Sequence, residues 1–332
     1  MYDSILNDLK QKKYAPVYFL MGEEPYYIDL LSDYFQDKIL DEAQQAFDLT
    51  VLYGKDVDIA TVINTAKRFP MMSPYHVMIV KEAQHIRDMD KLSFYLKQVL
   101  PSTILVICYK YGKVDGRQKW VNQLKKVGVL FESKKLRDYE MAPWISKYAK
   151  SKGLMVEDKA LMMLVDFLGT DLSKVANEID KLVITQENGN KKISPEIIEK
   201  NIGISKDYNV FELQDALIRK DVVRANRIIN YFAENKKAAP IQMALSVLFG
   251  FFSNLMIFHY LPSKTAESAA SEFKIHPFIA RNYVQAAKTF SALKTMHIIT
   301  YIRETDARSK GIDNQSADDG DLLKELVFKI LH

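Results

Sequence analysis

A glycine that follows a short apolar strand and precedes a helix marks the place where an α/β nucleotide-binding module wraps a phosphate. Gly22 stands at such a place. The chemistry calls for G-x-x-x-x-G-K-[ST]: glycines let backbone N–H groups cradle the phosphates, the lysine neutralises them, and the hydroxyl holds magnesium. Counted from Gly22, Tyr27 stands at the second glycine, Ile28 at the lysine and Asp29 at the hydroxyl. Glu23 and Glu24 add further negative charge. The mismatches remove cradle, cation and metal ligand together. Such a module also needs an apolar strand ending in Asp-Glu, which binds magnesium and orients the attacking water. Here the run 77–80 leads into Lys81 and Glu82, so a lysine replaces the metal-binding acid. The residues argue against phosphate chemistry, and the rival reading is an active ATPase with a degenerate loop.

No other catalytic set emerges. The histidines (His76, His85, His259, His276, His297 and His332) are scattered, without an H-E-x-x-H pair, and there is no G-x-S-x-G elbow. The single cysteine, Cys108, lies in the apolar run 104–109. It allows no internal disulfide and no thiolate metal site, and it reads as a buried structural thiol of a reducing, cytoplasmic compartment. No catalysis, cofactor or metal is expected.

The elements that would position a site fall into three regions. Residues 1–137 alternate strand-like runs (17–21, 49–53, 77–80, 104–109 and 129–131) with helix-like segments (26–40, 59–67, 89–99 and 118–126). Charge-free, β-branched runs of this kind suit parallel strands covered on both faces, and their alternation with helices implies a doubly wound parallel sheet. From 138 the strand signals stop. Helices are expected at 140–152, 158–168, 172–185 and 194–201, with a polar break at 186–192 that contains the turn pair Asn188–Gly189. A second boundary near 203–208 opens an all-helical region. Its helices read as 210–219, 222–235, 240–260, 277–288, 292–308 and 321–331, with a polar loop at 310–320. The organisation is thus 1–137, 138–206 and 207–332, which suits a chain of 332 residues.

Between 238 and 263 there is no Asp, Glu, Lys or Arg. That length could span a bilayer. Gln242, Ser246, Ser253, Asn254 and His259 interrupt it, however, and a buried central helix fits better than a membrane segment. The N-terminus lacks the apolar core of a signal peptide. The net charge of +4 permits contact with nucleic acid without demanding it.

One short segment has the character of a binding site. Phe69-Pro-Met-Met-Ser-Pro-Tyr75 holds two prolines, which suits a turn rather than a helix or a central strand. Apolar residues exposed on a turn mark partner binding, and the competing reading of Met71 and Met72 is core packing. The lysine groups Lys10, Lys12 and Lys13, Lys125 and Lys126, and Lys134 and Lys135 read as solvated faces.

Five segments in order resemble one family, the delta subunit of bacterial DNA polymerase III, a clamp-loader subunit. They are Val17-Tyr-Phe-Leu-Met-Gly-Glu-Glu-Pro-Tyr-Tyr-Ile-Asp29, Phe69-Pro-Met-Met-Ser-Pro-Tyr-His-Val-Met-Ile-Val80, Leu168-Gly-Thr-Asp-Leu-Ser-Lys-Val-Ala-Asn-Glu-Ile-Asp-Lys-Leu182, Asn209-Val-Phe-Glu-Leu-Gln-Asp-Ala-Leu217, and Asp306-Ala-Arg-Ser-Lys-Gly311 followed by Leu322-Leu-Lys-Glu-Leu326. The resemblance implies an AAA+-like α/β domain without ATPase residues, a small helical lid and a helical collar. The lid of active relatives carries an arginine that senses the γ-phosphate; Gly169-Thr-Asp-Leu-Ser173 offers none, and Lys174 is not assigned that role.

The resemblance also implies a role as a non-catalytic subunit of a DNA-directed DNA polymerase (nucleotidyltransferase) holoenzyme. Its partners would be the sliding clamp (the beta subunit), gamma/tau and delta-prime type subunits through the collar, and primer–template DNA. The family's clamp contact is an adjacent apolar pair, usually Leu-Phe, at a tip. The matching positions here are Met71 and Met72, with Phe69 and Pro70 leading into them. Methionines fill a pocket flexibly but lack the aromatic anchor common at hot spots. Basic residues of the collar (Arg281, Lys288, Lys294, Arg303, Arg308 and Lys310) could touch DNA phosphates, without any one of them being singled out. A helical DNA-binding scaffold with no clamp role is the remaining alternative.

Overall fold

The structure is a computed structural model that describes residues 1–185, 191–203, 205, 207–235, 240–314 and 316–332, with the side chains of 138 and 166 left aside. The turn expected at Asn188–Gly189 lies outside the described residues, as do 204 and 206 of the expected boundary and 315 of the expected loop. The chain divides into two compact units, Met1–Leu136 and Arg137–His332.

The first unit is built on five parallel strands: β1 (Val17–Gly22), β2 (Leu49–Tyr53), β3 (His76–Lys81), β4 (Thr103–Lys110) and β5 (Val129–Ser133), in the spatial order β2-β3-β4-β1-β5. Its helices are α1 (Tyr2–Lys10), α2 (Pro25–Lys38), α3 (Glu42–Asp48), α4 (Ile59–Ala66), α5 (Ser93–Leu96) and α6 (Lys119–Val127). The expected helix at 89–99 is shorter than its apolar pattern suggests: a 3₁₀ turn, Met89–Leu92, precedes the single turn of α5.

Every residue of β1 is buried, because the sheet is covered on both faces. Val17, Phe19 and Met21 enter one core with Val62 of α4, Tyr95 of α5, and Trp120 and Leu124 of α6. Tyr18 and Leu20 enter the other with Leu9 of α1 and Ile28, Leu31 and Phe35 of α2. Each such large side chain contributes roughly 1.5–3 kcal/mol by leaving water. Cys108 sits in the second core, where burial pushes its thiol pKa up to about 12.

The second unit begins with α7 (Asp138–Ser151), α8 (Asp158–Leu168), α9 (Leu172–Thr185) and α10 (Pro195–Ile202). Two short strands absent from the sequence reading, β6 (Met155–Val156) and β7 (Lys192–Ile193), pair in parallel between them. The helices α11 (Val210–Ile218), α12 (Val222–Glu234), α13 (Ile241–Tyr260), α14 (Ala266–Phe273), α15 (Pro277–Thr289), α16 (Ala292–Ser309) and α17 (Asp319–Leu331) follow. They share one apolar core that includes Leu213, Ile228, Phe252, Phe290, Ile298 and Leu326. Among the described residues α13 alone is long and apolar enough to cross a membrane. It lies in this core, burying Ile241, Leu245, Leu248, Phe252, Leu255 and Phe258.

Candidate functional site

In an open parallel sheet, ligands bind beyond the carboxyl ends of the strands, where the strand order reverses. Gly22 ends β1 at that point, in register with Lys110 of β4. The loop that follows is too short to wrap a phosphate, because α2 already begins at Pro25. Glu24 is buried and caps this helix, its carboxylate accepting the Tyr26 N–H at 3.0 Å. An internal carboxylate therefore holds a helix N-terminus of the kind that binds anions. Ile28, at the lysine position, is fully buried in the core. Asp29 lies 2.5 Å from the Lys110 ammonium. Burial alone would lower the Lys110 pKa, but the Asp29 carboxylate outweighs it and raises the value.

Lys81, which replaces the metal-binding acid, donates to Gln36 Oε1 at 3.1 Å, and Glu82 faces Lys55 at 3.4 Å. Gly22 has φ +146°, and a Cβ there would meet the Ser133 carbonyl oxygen at 1.9 Å. This glycine serves the close approach of β1 to the end of β5. In the second unit Lys174 lies over the Phe167 ring at 5.5 Å. Among the described residues no cluster of three or more His, Cys, Asp and Glu side chains could hold a metal.

The turn between α4 and β3 is built differently. Phe69, Met71 and Met72 are 74%, 77% and 59% exposed, and Pro70 is half-buried. The core-packing alternative for the two methionines does not apply in this chain. Their backbone is fixed from below by a residue the sequence reading did not single out. Asp48, the last residue of α3, accepts the Met71 N–H on Oδ1 at 2.5 Å, and the Met72 and Ser73 N–H groups on Oδ2 at 2.8 and 2.7 Å. Three successive amides converging on one anion form a backbone nest. Asp48 is 1% exposed. Burial pushes its carboxyl pKa up, but the bonds from Met71, Met72 and Ser73 together outweigh that and hold it below the ordinary value. Ser73 Oγ donates to the Tyr75 carbonyl at 2.6 Å and closes the turn.

The expected basic residues separate into two groups. Lys294 donates to the Lys329 carbonyl, Arg308 pairs with Glu325 and Lys310 with Asp306, whereas Arg281, Lys288 and Arg303 are exposed. The lysines at 10, 12, 13, 125, 126, 134 and 135 are all exposed.

Comparison with known proteins identifies a family. The family model of the DNA polymerase III delta subunit matches residues 18–134, and that of the delta subunit's C-terminal domain matches 207–327. A middle-domain model matches 137–200. DNA polymerase III subunit delta of Bacillus subtilis is 24% identical over 322 residues, covering 93% of this chain and 92% of its own. The probable delta subunit of Aquifex aeolicus is 22% identical over 225 residues, covering 64% and 63%. Among solved structures, the Bacillus subtilis DNA clamp loader delta protein superposes with a TM-score of 0.54 at 22% identity, over 100% of this chain and 99% of the other. With matching models over both its α/β unit and its C-terminal helices, the chain belongs to the DNA polymerase III delta-subunit family, whose work is DNA replication.

Proposed function

We propose that this chain binds a ring-shaped sliding clamp through Phe69, Pro70, Met71 and Met72 and helps to hold one interface of the ring open, without hydrolysing ATP itself. The observation that carries this reading is the pair Met71 and Met72, strongly exposed on a turn whose amides at 71–73 are all held by Asp48. A turn whose backbone is already ordered spares a partner the entropic cost of ordering it. The β1–α2 loop supports the second half of the reading, since its helix N-terminus and strand-end lysines already have internal partners.

Four assignments complete the reading. Residues 138–206 act as a lid and 207–332 as a collar that joins gamma/tau and delta-prime type subunits in a cytoplasmic loader. Exposed collar cations such as Arg281, Lys288 and Arg303 would meet the phosphates of primer–template DNA. Neighbouring subunits supply the energy of ATP hydrolysis.

The test is binding of the purified chain to its cognate sliding clamp. Met71→Ala with Met72→Ala should weaken binding at least about 100-fold, the loss expected of two central apolar anchors, with an unchanged circular dichroism spectrum. Normal clamp binding by the double variant would sink the site assignment. The rival reading, an active ATPase, calls for micromolar, magnesium-dependent binding of a fluorescent ATP analogue to the isolated chain. The expected result is no binding.

A further inference from the structure

We propose that Asp48 is the positioning residue of the docking turn: by holding the N–H groups of Met71, Met72 and Ser73, its carboxylate fixes the conformation in which the two methionines meet the clamp. The proposal rests on the clamp-binding reading and goes beyond it, since it concerns a residue that does not touch the partner.

Local preference is against an aspartate at this position. Asp48 closes α3, where the partial negative charge of the helix end repels a carboxylate, and it lies between Phe47 and Leu49. It is also nearly inaccessible, and an ionised carboxylate taken out of water must be compensated by hydrogen bonds. The compensation comes from 23 to 25 residues away in the chain, from the turn.

The dependence is mutual. Among the described residues no backbone–backbone hydrogen bond from an N–H of residues 69–75 holds this segment. Phe69, Met71 and Met72 face solvent, so packing does not fix them either. Tyr75 anchors the far end of the segment by packing on Tyr14; what orders the amides at its apex is the Asp48 carboxylate, together with the Ser73 hydroxyl on the Tyr75 carbonyl. Without the carboxylate the three amides would sample many conformations, and the clamp would have to order them at the cost of affinity.

The experiment uses the full chain with Asp48→Asn, a near-isosteric change that removes the charge and aims an amide NH₂ at one of the donors. Clamp affinity is measured by surface plasmon resonance, and amide hydrogen exchange of the segment 70–75 by mass spectrometry, at a temperature where circular dichroism shows the variant folded. The expected result is affinity weaker by about 10-fold or more, with faster exchange confined to 70–75. Met71→Ala with Met72→Ala should instead lose binding and leave exchange in that segment unchanged.

Two results overturn the proposal: an Asp48→Asn variant that binds within twofold of the unsubstituted chain, or one that binds weakly with exchange in the turn unaltered. Should Asp48→Asn fail to fold, the unsubstituted chain still decides. Its Met71, Met72 and Ser73 amides must exchange as slowly as strand amides, and free exchange there would end the proposal. If the methionine double variant binds the clamp normally, the clamp reading fails, while the exchange data still report on the anchor.

Discussion

The β1–α2 loop and the 69–73 turn use one device to opposite ends. In each, an internal carboxylate accepts backbone N–H groups that an anion could otherwise take: Glu24 takes one at the start of α2, and Asp48 takes three beneath the turn. At the loop, the side chains that follow turn inward. Ile28 enters the core, and Asp29 meets Lys110. At the turn, the side chains that follow stay outside, with Met71 and Met72 in solvent. A carboxylate that satisfies a backbone can thus close one site and display another. What differs is whether the neighbouring residues have a core to enter.

This contrast predicts that changes at the loop alter stability and leave clamp binding alone, whereas changes at the exposed Met71 and Met72 alter clamp binding and leave stability alone. The largest effect on the loop side is expected from Tyr27→Gly with Ile28→Lys, which restores most of the phosphate-binding letters. Because Ile28 is fully buried, the lysine brings an unpaired charge into the core and should cost about 4 kcal/mol or more. A urea unfolding curve measures the loss, and a gain of ATP binding would break the comparison. Gly22→Ala comes next. Its Cβ would strike the Ser133 carbonyl from a left-sided φ, and a loss of about 2–3 kcal/mol is expected. Its clamp affinity, measured below the melting transition, should stay within twofold.

The smallest effect is one of pH, and it lies on the turn side. His76 is buried behind the turn, with Nε2 2.9 Å from Thr50 Oγ1 and Nδ1 without a partner. Burial pushes its pKa down; the Asp48 charge pulls it partly back, and Arg68 pushes it down again. The neutral ring is therefore the form the fold favours. Its stabilisation is complete above the unfolded value of about 6.5 and declines as pH falls from there toward the lower folded value. Asp48 acts in a more acidic window. Its contribution is present above the unfolded value of about 3.9 and is lost as pH falls through its depressed folded pKa. A lower urea midpoint at pH 5.5 than at pH 7.5, flattened by His76→Gln, checks the histidine part. An unchanged midpoint would remove His76 from the account.

Much of the fold was legible because its signals are local. The five strands, α8 and α9 follow apolar runs whose length and spacing fix them within a residue or two. Most of the misses are segments whose burial is slight; α1, which buries Ile5 and Leu9, went unread as well. α3, with seven residues, buries only Asp48, and α14 only Ala269, so neither shows apolar periodicity. The pair β6 and β7 has two residues in each strand. The exposure of Met71 and Met72 was legible from the prolines around them, and the departure of residues 22–29 from a phosphate-binding pattern from its letters. Asp48 was not, because its partners lie 23 to 25 residues away and are backbone atoms, which carry no sequence signature. The one available clue, an aspartate at a helix end set between apolar neighbours, required first seeing α3.

The anchoring of the turn through amides also bears on how such a contact evolves. Amides are common to every residue except proline, so the fold of this tip does not depend on which side chains it carries at 71 and 72. The Met-Met pair of this chain and the Leu-Phe pair usual in its family can ride on one scaffold. On the proposed reading, the shape of the tip is thus held apart from the identity of the residues at its apex.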